Sequence, residues 1–184
     1  TMKYRMLLSA LVVCCTLPLT ACDSKDKAAS DTANRTQIAD GKASIVLPEG
    51  YIKMSDELLA QKYPAANRPK EAWFVEKEKG KVTLAFNMTQ NAMKEAQLPE
   101  FAEVMKNNLA TFSPEVSSMT INGNKVQRIQ VTTPDAADPK GGIYNVMQFA
   151  SLDGKLMIAT FNATADLKDQ YSNAGLEALS SIKY

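Results

Sequence analysis

Residues 116–163 read VSSMTINGNKVQRIQVTTPDAADPKGGIYNVMQFASLDGKLMIATFNA, and this stretch spells two β-hairpins in succession. The first folds Val116–Ile121 onto Lys125–Thr133 through Asn122-Gly123-Asn124. The second folds Ile143–Ser151 onto Lys155–Ala163 through Asp153-Gly154. Asn-Gly and Asp-Gly supply the positive backbone φ angles that a two-residue hairpin turn needs, and they sit between runs rich in β-branched and aromatic residues. Between the hairpins lies Thr133-Pro-Asp-Ala-Ala-Asp-Pro-Lys-Gly-Gly142, which reads as a long loop of the kind partners contact.

Upstream, the same reading gives a third hairpin, Ala72–Lys77 with Lys81–Asn87, turning at Glu78-Lys79-Gly80. Its second arm alternates Val82, Leu84, Phe86 and Met88 with Thr83, Ala85 and Asn87, the two-residue period of a half-buried strand. Ala43–Leu47 is another strand, stopped by Pro48-Glu49-Gly50. Three helices separate or follow these strands. Ser55 caps a short one carrying Leu58, Leu59 and Tyr63, which ends before Pro64. Leu98, Phe101, Ala102, Met105, Leu109 and Phe112 form one stripe of a second, with Pro99 in its first turn and Pro114 beyond its end. A third spans Ala165 to Ile182, capped by Thr164, with Leu167, Tyr171, Ala174, Ala178 and Ile182 inward. Hairpins with single-striped helices define an α+β domain: a central antiparallel sheet of about six or seven strands flanked by three helices, in one unit from Ile38 to Tyr184.

The segment before Ile38 has a different character. Asp23 to Gln37, DSKDKAASDTANRTQ, has no aromatic and no large aliphatic residue, so it reads as a flexible tether over 22–37. About 15 residues of such coil reach roughly 20 Å on average. Before it, Lys3 and Arg5 precede an apolar run from Met6 to Leu17 that is short for a membrane span and ends in small residues, as a cleaved export signal does. Leu19-Thr20-Ala21-Cys22 resembles the bacterial lipoprotein signal. That resemblance implies cleavage after Ala21, acylation of Cys22, and, from Asp23 in the next position, retention on the periplasmic face of the inner membrane rather than sorting to the outer membrane. Acyl chains bury about 0.8 kcal/mol per methylene, so several together anchor durably.

Composition narrows the chemistry. The chain has 184 residues, no histidine and three cysteines, all of them at or before Cys22. Without imidazole or a free thiol in the mature chain, the commonest general base, the commonest zinc ligand and thiolate catalysis are excluded. Glu76 and Glu78, and Asp135 and Asp138, are carboxylate neighbours that read as solvated charge beside lysines. Asp135-Ala-Ala-Asp138 lacks the spacing of a calcium loop, and Gly141-Gly142 lacks the strand–loop–helix setting of a phosphate loop. The expectation is a non-enzyme with no cofactor and no metal. The formal charge of +1 turns slightly negative once Lys3 and Arg5 leave, which gives no electrostatic basis for nucleic-acid binding.

Binding is the remaining class. Met54, Met88, Met93, Met105, Met119, Met147 and Met157 fill core gaps or form adaptable surfaces. Trp73, the single tryptophan, and Asp135, Asp138 and Lys140 in the long loop are candidate partner contacts, with a core role the stronger reading for Trp73. From Asp40-Gly41-Lys42-Ala43-Ser44-Ile45-Val46-Leu47-Pro48-Glu49-Gly50-Tyr51 and the order of hairpins, the mature part resembles the bacterial DcrB-like lipoproteins and, at greater distance, the fold of the photosystem II extrinsic protein PsbP. The resemblance implies an α/β/α sandwich and a binding or accessory role with no catalytic residues. Three functions fit: an envelope accessory lipoprotein serving a resident membrane protein, a periplasmic immunity protein neutralising a secreted effector, and a small-ligand-binding lipoprotein.

Overall fold

A computed structural model describes residues 34–63 and 68–184. The signal segment 1–21, Cys22, Asp23 and the tether as far as residue 33 lie outside the described residues. Within the unit Asn34–Tyr184 the elements run β1 (Arg35–Ile38), β2 (Ala43–Val46), β3 (Tyr51–Lys53), α1 (Asp56–Lys62), β4 (Glu71–Val75), β5 (Val82–Ala92), α2 (Leu98–Asn108), β6 (Glu115–Ile121), β7 (Asn124–Asp135), β8 (Asp138–Leu152), β9 (Lys155–Thr164) and α3 (Lys168–Ser180).

Seven strands form one sheet in the order β3-β4-β5-β9-β8-β7-β6, every neighbouring pair antiparallel. The hairpin residues account for most of this order. Asn122 (φ 47°) with Gly123 (φ 85°), and Asp153 (φ 52°) with Gly154 (φ 73°), make the two-residue turns, so β6 to β9 follow one another as a meander. β5 pairs with β9, which brings the strand pair before α2 alongside the last strand of the chain.

Strand alternation divides the core between the two faces. On the first, Trp73, Leu84, Phe86, Val146, Met157 and Phe161 pack with Ala178, Leu179 and Ile182 from α3 and with Ile38 and Ile45 from the β1–β2 ribbon. On the second, Leu98 and partly buried Phe101, Met105 and Leu109 of α2 cover Ile129, Val131, Phe149 and Leu156, while Leu59 of α1 covers Ala72 and Ala85. Helices on both faces of one antiparallel sheet give the expected α/β/α layering.

Four sequence expectations need correction. Arg35–Gln37, assigned to the tether, are strand: β1 pairs residue by residue with β2, Ile38 is buried, and Arg35 Nη1 donates to Ser44 Oγ (3.2 Å) and to the Ser181 carbonyl (2.9 Å). Ile38 is the strand's single apolar anchor, and residues 35–37 are held by backbone pairing and the Arg35 contacts, so hydrophobic periodicity could not reveal it. β3 was likewise unseen, being only three residues long. The Thr133–Gly142 loop is mostly strand, because β7 runs to Asp135, β8 starts at Asp138, and a bulge falls between Pro134 and Asp135. Pro134 sits opposite Gly142, where a Cβ would come within 3.0 Å of Thr132 Cγ2, so residues read as breakers are accommodated near a hairpin end. Finally, α3 starts at Lys168 without a side-chain cap, since Thr164 remains in β9, paired with Ile143 and donating its N–H to the Lys81 carbonyl. Ser55 does cap α1, its Oγ accepting from Leu58 N–H at 3.2 Å.

Candidate functional site

A cleft of about 590 Å³ lies between the start of α2 and the β6–β7 hairpin. Local sequence builds it. Glu95–Gln97 form a 3-10 turn, with Lys94 N–H donating to Gln97 Oε1 at 2.9 Å, and Pro99 occupies the first turn of α2. Leu98, 1 % exposed, plugs into the layer of Ile129, Phe149 and Leu156 and fixes that helix end on the sheet. Ala96, Leu98 and Pro99 thus make an apolar wall. Opposite them stand Ser118, Thr120, Lys125 and Gln127 of the hairpin. Gln127 Nε2 donates to Ser118 Oγ at 2.8 Å, so the floor is a bonded neutral pair. Exposed Lys125 and Glu95 add one charge of each sign. An apolar wall, amide and hydroxyl groups, and balanced charge suit a short stretch of polypeptide, and the volume lies within the range of ligand-binding clefts.

The opposite face carries a buried polar cluster with a structural role. Arg128, 6 % exposed, donates from Nε to Gln148 Oε1 (2.8 Å) and from Nη2 to Ser180 Oγ (2.9 Å) and the Leu176 carbonyl (3.4 Å). Gln148, fully buried, donates from Nε2 to the Leu179 carbonyl (3.1 Å) and to Tyr184 Oη (2.8 Å). Burial lowers the pKa of the Arg128 guanidinium and pushes the Tyr184 phenol up to about 12. The cluster clamps α3 and the chain's last residue to β7 and β8. A polar pocket of about 210 Å³ nearby holds Tyr144, whose Oη donates to Gln130 Oε1 (2.7 Å) and whose ring lies 4.5 Å beneath Lys168 Nζ.

The candidate contacts from sequence do not converge. Trp73 is 6 % exposed and meets Phe86 edge-on, with ring centroids 5.6 Å apart, so it is core rather than a partner anchor. Asp135, Asp138 and Lys140 share the exposed β7–β8 tip, where Asp135 Oδ1 accepts from Ala137 N–H (2.9 Å) and Asp138 Oδ1 from Lys140 N–H (3.1 Å), each shaping the turn locally. Sequence reasoning missed the cleft. Its one signal was β6, where Ser118 and Thr120 occupy positions on the face that α2 covers elsewhere. No group of three or more Cys, Asp or Glu residues suited to a metal ion occurs among the described residues.

This architecture is the α+β fold of the PsbP-like proteins. No protein-family model and no curated sequence matches the chain. Among solved structures, CyanoP, the cyanobacterial PsbP of Synechocystis sp. PCC 6803, is similar with a TM-score of 0.50 and 10% identity over 81% of this chain and 90% of that one. LpqN of Mycobacterium tuberculosis, involved in cell envelope biogenesis, has a TM-score of 0.46 at 13% identity, covering 81% and 88%. The Ran-binding protein Mog1p of Saccharomyces cerevisiae has 0.44 at 11% identity, covering 81% and 93%. At these identities the likeness is one of fold.

Proposed function

We propose that the chain is an envelope lipoprotein, held by acylated Cys22 on the periplasmic face of the inner membrane, and that it acts as a non-catalytic accessory protein. In this reading it binds a segment of a resident membrane protein in the cleft between α2 and the β6–β7 hairpin. One observation supports the reading beyond the signal residues: the cleft sets an apolar wall of Ala96, Leu98 and Pro99 against hydroxyl and amide groups of Ser118, Thr120 and Gln127, with one exposed charge of each sign, a lining that fits a short stretch of polypeptide.

Two experiments test the two halves of the reading. Cys22→Ser should leave an unprocessed precursor that incorporates no labelled fatty acid; normal maturation of that variant refutes the anchor. Crosslinking the native protein in its own membranes, with an Ala96→Trp variant that fills the cleft, tests the binding site. Resident membrane proteins captured by the parent and lost from Ala96→Trp support the accessory role. The same set captured by both refutes the cleft, and a single secreted toxin at one-to-one ratio replaces the accessory role with immunity.

A further inference from the structure

Among the described residues, β6 is an unprotected edge of the seven-stranded sheet. It pairs with β7 on one side, and no described strand lies on the other. An edge of this length is a template for another strand unless a lysine, a proline, a bulge or a covering segment blocks it. Glu115–Ile121, EVSSMTI, contains no lysine and no proline, and its register with β7 is unbroken. The other edge of this sheet, β3, is three residues long and ends in Lys53, so among the described residues β6 is the longer and less guarded of its two edges.

The turn fixes which backbone groups face outward. Asn122 and Gly123 both have positive φ, so Ile121 and Asn124 close a two-residue hairpin and exchange backbone hydrogen bonds. Bonded pairs then recur at every second residue: Met119 with Val126, Ser117 with Arg128, Glu115 with Gln130. The N–H and C=O groups of Val116, Ser118 and Thr120 therefore point away from the sheet. The β8–β9 turn gives the same phase independently. Leu152 and Lys155 close it, which directs the even-numbered residues of β8 to β9 and its odd-numbered residues to β7.

We propose that β6 pairs antiparallel with β6 of a second copy about a two-fold axis through Ser118, joining two sheets into one. The register is self-consistent. Ser118 faces Ser118 of the second copy, and Val116 faces its Thr120, so outward groups meet outward groups in three pairs with about six backbone hydrogen bonds. Side chains agree as well. β-Branched Val116 lies against Thr120, Ser117 against Met119, and Glu115, the single charge of the strand, against Ile121, so like charges never stand opposite. Thr120 lines the cleft, which means Val116 of the second copy adds to its open side. This pairing does not depend on the lipid anchor.

The test is a set of single-cysteine variants of the full chain, oxidised in membranes and read on non-reducing gels. The parent chain reports what Cys14, Cys15 and Cys22 contribute, so a failure of the acylation reading shows separately as dimer in the parent. Facing Cα atoms in a bonded antiparallel pair are about 5.5 Å apart, inside the span a disulfide bridges. Ser118→Cys should therefore give a covalent dimer in excess of the parent, and Ser117→Cys, which faces Met119 rather than itself, should not. By sedimentation, the detergent-extracted parent should be dimeric. Thr120→Pro, which removes an outward N–H and leaves the β7 ladder intact, should be monomeric while keeping the folded circular-dichroism spectrum of the parent. A parent that is monomeric at every concentration, or equal crosslinking at positions 117 and 118, overturns the proposal.

Discussion

Replacing Gly175 even by alanine should destabilise the domain. It lies in α3 against β9, and a Cβ built there would fall 2.4 Å from Phe161 Cδ2, 2.5 Å from Cε2 and 2.7 Å from Cγ. Carbon atoms in contact sit about 3.5–4.0 Å apart, so ring and helix must separate by roughly an ångström. Neither yields easily. Phe161 is fully buried and meets Tyr144 edge-on, with centroids 6.4 Å apart, and α3 is held by Arg128 and Gln148. Two opposing terms decide the sign. Alanine is a better helix former than glycine by about 0.8–1.0 kcal/mol, whereas overpacking a filled core costs about 1–3 kcal/mol and more when both partners are fixed. The net expectation for Gly175→Ala is a loss of about 1–2 kcal/mol, or roughly 2–8 °C in melting temperature for a domain of this size. Urea unfolding followed by circular dichroism measures it. Phe161→Leu makes room, so the double variant should be more stable than the two single losses sum to. If Gly175→Ala melts at or above the parent, the contact between α3 and β9 is looser than described and the reasoning fails.

Arg128→Ala should cost about 1.5–3 kcal/mol, since it leaves the Gln148 and Leu176 oxygens without their charged donor; Arg128→Lys, which cannot fork between them, should recover only part in the same unfolding assay. Alkaline stability should report Tyr184. Its folded pKa of about 12 exceeds the ordinary phenol value of 10.0 that the unfolded chain shows, so its contribution is complete below pH 10 and is lost as pH rises towards 12. Tyr184→Phe should flatten that part of the stability–pH curve, and an unchanged slope between pH 10 and 12 refutes the assignment. Ser55→Ala, which removes the cap on Leu58 N–H, should cost about 1 kcal/mol by thermal melting, unless α1 frays independently of the sheet.

The two Asx-Gly turns and the alternation of Val82, Leu84, Phe86 and Met88 were enough to read the antiparallel sheet, because turn chemistry and two-residue periodicity are local properties. The helix stripe from Leu98 was legible for the same reason, although Phe112 leaves it: it sits in a separate 3-10 turn and is 39% exposed. What escaped the sequence depends on distant partners. β1 exists through β2 and the Ser181 carbonyl, more than a hundred residues away. The Arg128–Gln148–Tyr184 cluster has no spacing signature, since its members meet only when β7, β8 and the chain's end are stacked. The cleft is invisible for a further reason: it is space left between elements, and its polar lining is ordinary for a strand beside a helix start.

The position of β9 governs when this protein can become itself. β3-β4-β5 and β6-β7-β8 are joined in the sheet only through the last strand, which lies between β5 and β8. A chain emerging N-terminus first from a ribosome holds two incomplete half-sheets until residues 155–164 arrive. Such non-local closure is slow, on the order of milliseconds to seconds. Until then the flanks of β5 and β8 stay unpaired and open to any strand-binding chaperone, so the strand order itself sets a window for escort.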